Sequence, residues 1–87
     1  MNNPINRDKI ASRICEMIAD VTDAHASEIT PDKTLISDLF MTDVDVCYLQ
    51  GDLDDEFNIL TTVEQFEKAV TVNDVIDIIV SVLQTSN

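Results

Sequence analysis

Tryptophan is absent from this chain, and its aromatics are one tyrosine and three phenylalanines, so aliphatic side chains must fill any core. One glycine and two prolines leave little material for tight turns, which argues against a sandwich or barrel and for helices. Cations are scarce: five Lys and Arg stand against seventeen Asp and Glu, a formal charge of −12. Such a field repels phosphate backbones and anionic lipid, which argues against nucleic-acid and membrane-surface roles. No apolar run approaches a membrane span, so no membrane insertion is expected. The start, MNNPINRDKI, lacks the apolar stretch of a signal peptide, and the expected location is cytoplasmic. The two cysteines, Cys15 and Cys47, have no CxxC spacing. Cys15 falls in an apolar helical pattern and suits a small buried hydrophobe, while a disulfide between the two stays open.

What is present is 87 residues, 45% of them apolar, enough for one small domain near the lower limit of a self-sufficient core. The polar ends, residues 1–6 and 84–87, are expected to fray. Ile10, Ile14, Met17, Ile18 and Val21 recur at helical spacing and predict a first helix over 7–21. A long connection follows, in which Thr30 precedes Pro31 and Ile29, Leu35 and Leu39 can pin the chain to a core. A second helix is predicted over 44–56, with Val46, Leu49, Leu53 and Phe57 inward and Val44, Cys47, Tyr48, Gly51 and Asp55 on a more exposed face. Gly51 inside it costs about 1 kcal/mol relative to Ala. Thr62 with Gln65 marks a short third helix, and Thr71 with Asp74 opens a fourth. The stretch VIDIIVSVL also satisfies a two-residue alternation, but Ile79 breaks it and no second strand exists to pair with it. The expected fold is therefore all-α: three longer helices and one short third helix.

Over nearly the whole chain, EITPDKTLISDLF, LDDEFNI and FEKAVTVNDVIDII occur in an order and spacing that resemble the acyl carrier protein family. The resemblance implies an acyl-carrier-like four-helix bundle. It also implies a serine at the head of the second helix that carries 4′-phosphopantetheine, within an Asp-Leu-Gly-x-Asp-Ser-Leu pattern. Here the corresponding run is DLFMTDV: Asp38 and Leu39 match, Phe40 replaces the glycine, Thr42 the aspartate, Asp43 the serine and Val44 the leucine. Attachment needs a hydroxyl nucleophile; a carboxylate would give an acyl-phosphate anhydride that water hydrolyses. Thr42 lies one residue early, turned by about 100° on a helix. No bound cofactor is therefore expected. Asp43 has two readings, an N-cap of the second helix or a permanent negative charge in place of the phosphorylated serine.

In the family the second helix docks acids onto basic patches of partner enzymes. Position by position, the resemblance carries this to Asp45, Asp54 and Asp55, with Asp38 in the loop. No Lys or Arg occurs between Lys33 and Lys68. Val44, Cys47 and Tyr48 add an apolar strip beside the acids, a pattern of interfaces. DVDVCYLQGDLDDE fails as a calcium loop, because Cys47 and Tyr48 fill its fifth and sixth positions. The single histidine, His25, sits in a polar connection, where a solvated or capping role outweighs metal or acid–base work. No catalytic triad, phosphate loop or metal-ligand spacing is present, so no enzyme activity is expected. The expected function is an acidic monomeric docking or regulatory module of acyl-transfer machinery, binding proteins with basic patches. The alternative is a working acyl carrier in lipid or secondary metabolism.

Overall fold

The computed structural model describes residues 6–85. Among these residues four helices follow in order: α1 (Arg7–Val21), α2 (Asp43–Phe57), α3 (Val63–Glu67) and α4 (Val72–Thr85), with a 3-10 turn at Ala26–Glu28 between α1 and α2. Among the described residues there is no strand, and one isolated antiparallel bridge joins Thr34 to Thr71. The all-α bundle with a short third helix is as expected, and the β-branched stretch near the C-terminus is helical.

Local chemistry explains the helix starts. Asn6 accepts from the Lys9 amide and opens α1. Thr62 and Gln65 form a reciprocal capping box before α3. Thr71 and Asp74 do the same before α4, the Thr71 hydroxyl accepting from the Asp74 amide at 3.2 Å and Asp74 accepting from the Thr71 amide at 3.0 Å. Asn58, in the left-handed region at φ 53°, ends α2 by donating its amide to the Asp54 carbonyl. The expected fraying at 1–6 and 84–87 falls largely outside the described residues; Asn6 is a cap, and Gln84 and Thr85 continue α4.

The core is aliphatic, as the composition requires. Ile14 and Ile18 of α1, Leu49 and Leu53 of α2, and Val72, Val75 and Ile79 of α4 are fully buried. Ile29, Leu35, Leu39 and Met41 bring the long connection onto that core, and Phe66 adds α3. Val46 and Phe57, expected inside, are half-buried at the edge of the α2 stripe, and so is Val21 at the end of α1. Backbone bonds hold the connection against the start of α4: Leu35 N–H to the Val70 carbonyl at 2.9 Å, Val72 N–H to Lys33 at 3.0 Å, and Asn73 N–H to Pro31 at 2.9 Å. Arg7 ties α1 to α4 through Asp77 at 2.6 Å, and Arg13 ties α1 to α2 through Glu56 at 3.0 Å.

Candidate functional site

α2 begins one residue earlier than its apolar pattern suggests. Thr42 is extended at φ −95° and ψ 170°, and its hydroxyl accepts from the Asp45 amide at 3.1 Å. Asp45 returns the bond by accepting from the Thr42 amide at 2.9 Å. Thr42 is therefore the N-cap, and the capping role expected of Asp43 is corrected. Asp43 is the first helical residue, exposed, with its carboxylate near the positive end of the helix dipole.

The approach to α2 is held by a second reciprocal pair. Asp38 accepts from the Thr34 amide at 2.8 Å, and the Asp38 amide donates to the Thr34 hydroxyl at 3.0 Å. The donated Thr34 amide, and then its hydroxyl, hold the Asp38 carboxyl below the usual carboxylate range. Between these two pairs, Phe40 stands in the left-handed region at φ 60° and is 82% exposed. A bulky side chain seldom takes that conformation, and the resemblance places a glycine there.

The expected docking residues divide into two sets. Asp43, Val44, Cys47 and Tyr48 line one shallow hollow, and all four are exposed, as is Asp55 further along the helix. Asp38, Asp45 and Asp54 are instead bonded into the fold. Asp54 accepts from the Thr61 hydroxyl at 2.8 Å and its amide at 3.3 Å, which fastens the α2–α3 connection. These three lend charge to the surface while their oxygens hold turns. Asp55 shares a separate hollow with Arg13, Asp20, Asp52 and Glu56. There the Arg13 guanidinium lowers the Glu56 carboxyl.

A groove of about 650 Å³ between α2 and α3 beside Asp43 has no signature in the sequence. Leu35, Val46, Phe66 and Ala69 supply its apolar lining, and Ser37, Cys47 and Glu67 also face it. Its elements meet only through tertiary packing, so no local pattern announces it. Cys15 and Cys47 are free thiols. The Cys15 thiol donates to the Ile29 carbonyl, and burial pushes its pKa up; Cys47 is exposed. Among the described residues no three or more His, Cys, Asp and Glu are grouped to hold a metal ion, and no helix is long and apolar enough to cross a membrane.

A family model described as a phosphopantetheine attachment site matches residues 12–79. An acyl carrier protein of Coprothermobacter proteolyticus is 31% identical over 81 residues, covering 93% of this chain and 99% of that protein. The meromycolate extension acyl carrier protein of Mycobacterium tuberculosis is 29% identical over 73 residues, covering 84% of this chain and 64% of that protein, so the match spans less than two thirds of that relative. Among solved structures, an acyl carrier protein from Thermotoga maritima superimposes with a TM-score of 0.82 at 22% identity, covering 99% of this chain and all of that one. One from Enterococcus faecalis gives 0.75 at 27% identity, covering 90% of this chain and 99% of that one.

Proposed function

The chain belongs to the acyl carrier protein family, and we propose that it is a member without the covalent arm, acting as a docking or regulatory module of acyl-transfer machinery. One observation carries this reading. The residue presented at the head of α2 is a carboxylate, Asp43, while the adjacent Thr42 hydroxyl is taken up by the Asp45 amide. Phosphopantetheinyl transfer needs an oxygen nucleophile whose phosphate ester survives in water. The anhydride formed on a carboxylate does not survive, so the residues at this position do not fit the group.

The docking half of the reading rests on charge and exposure. Asp43 and Asp55 offer carboxylates on the exposed side of α2, flanking Val44, Cys47 and Tyr48. Asp38, Asp45 and Asp54 add their field from fixed positions. A partner with Lys and Arg around an apolar patch matches that face and associates with it in a salt-sensitive way.

Intact mass after co-expression with a broad-specificity phosphopantetheinyl transferase tests the proposal. The wild-type chain is expected unmodified, and Asp43→Ser is expected to gain one phosphopantetheinyl group. A gain on the wild-type chain, localised by fragmentation, overturns the reading in favour of a working carrier. The exposed Ser37, which faces the same groove as Asp43, is the hydroxyl to inspect in those fragments.

A further inference from the structure

The groove beside Asp43 combines three features. Its floor is apolar, from Leu35, Val46, Phe66 and Ala69. Its lips carry apolar side chains left in water: Ile36, Val63 and Val70 are 58%, 57% and 59% exposed. Its charged lining residues are Asp43 on α2 and Glu67 on α3, with no Lys or Arg among them.

We propose that this groove receives an amphipathic helix of a partner protein, whose apolar face covers the floor and lips while its Lys or Arg flanks meet Asp43 and Glu67. The proposal rests on the docking reading above and names the form of the partner. Charge selects among occupants: a free fatty acid would bring a third carboxylate between two, whereas a basic segment is attracted from both walls. Shape selects further. A single alkyl chain fills the floor and leaves Ile36, Val63 and Val70 wet, while a helix with anchors three and four residues apart spreads over floor and lips together.

The groove is also held in shape. The Leu35 amide bonds the Val70 carbonyl at 2.9 Å, joining two lining residues from opposite segments. Gln50, another lining residue, donates to the Thr61 hydroxyl at 3.1 Å and carbonyl at 3.3 Å. A preformed site loses little to ordering when it binds.

The test uses the full-length, isotope-labelled protein and two synthetic helical peptides. One carries Leu at helical spacing with Arg on its flanks; in the other every Leu is Ser and the charge is unchanged. At near-physiological salt the Leu peptide is expected to bind about tenfold more tightly or better. It is also expected to shift the amides of Leu35, Val46, Ala69 and Val70. Val63→Glu and Val70→Glu, at exposed positions that spare the core, should each remove most of that preference. Equal affinity of the two peptides overturns the proposal, because charge alone then explains binding. Shifts confined to Val44 and Tyr48 overturn it while leaving the docking reading in place. Decyltrimethylammonium producing the groove shifts where the Leu peptide does not also overturns it, in favour of an alkyl cation. None of these outcomes touches the mass measurement that tests the absent arm.

Discussion

Asp38 and Thr34 hold each other in both directions, each side chain accepting the other's backbone amide, at 2.8 and 3.0 Å. This pair fixes the turn that delivers the chain to α2. It depends on an ionised carboxylate. The folded-state pKa of Asp38 is lowered by that amide, so its contribution is present above the unfolded value and is lost as pH falls through the folded one. Asp74 behaves alike, lowered first by the Val70 amide and then by that of Thr71. Melting temperature is expected to fall once pH drops below about 4. Asp38→Asn should melt lower than wild type at neutral pH and show a shallower acid limb, with the two curves converging in acid. Thermal melts at fixed ionic strength check this; parallel curves would contradict it.

Phe40→Gly should stabilise the fold. The left-handed backbone costs a non-glycine residue about 1–2 kcal/mol, and the extra freedom of glycine in the unfolded chain returns about 0.5–1 of that. With the residue 82% exposed, little burial is lost. A net gain of about 0.5–1 kcal/mol is expected in urea unfolding. A loss of stability would mean that the ring packs on the fold.

Gly51→Ala should also stabilise, because a Cβ built there meets nothing within 4 Å and the residue lies inside α2. The helix preference of Ala over Gly gives about 0.5–1 kcal/mol, or a rise of about 4–8 °C per kcal/mol for a domain of this size. A melt of the single variant suffices.

Salt should raise the melting temperature. A charge of −12 on 87 residues, with no cation between Lys33 and Lys68, concentrates repulsion on the half of the molecule that contains α2. Screening weakens that repulsion over a distance of about 10 Å at 0.1 M salt. Divalent cations should act at lower concentration. A melting temperature flat from low to high salt would contradict this.

The helices were legible because their signals are local. Thr62 with Gln65 and Thr71 with Asp74 mark two starts, and the structure shows both boxes closed. The same spacing joins Thr42 to Asp45, but the apolar pattern of α2 begins only at Val44, one residue after the helix itself. By that pattern the cap falls on Asp43; in the fold it is Thr42. The division of the acids was not legible. Asp38 and Asp54 bond threonines four and seven residues away across turns, where helical periodicity says nothing. The left-handed backbone at Phe40 was hidden by its side chain, although the family's glycine at that place was a signal for it. The groove needed the meeting of segments near residues 35 and 70, which only packing supplies.

That meeting gives the molecule a gauge of its own. The amide proton of Leu35 is bound to the carbonyl of Val70, and both residues border the groove, so the proton meets solvent deuterium only when the two segments part. Its exchange rate reports how often the groove widens. An occupant that clasps both segments slows that single amide, and one that wedges them apart hastens it.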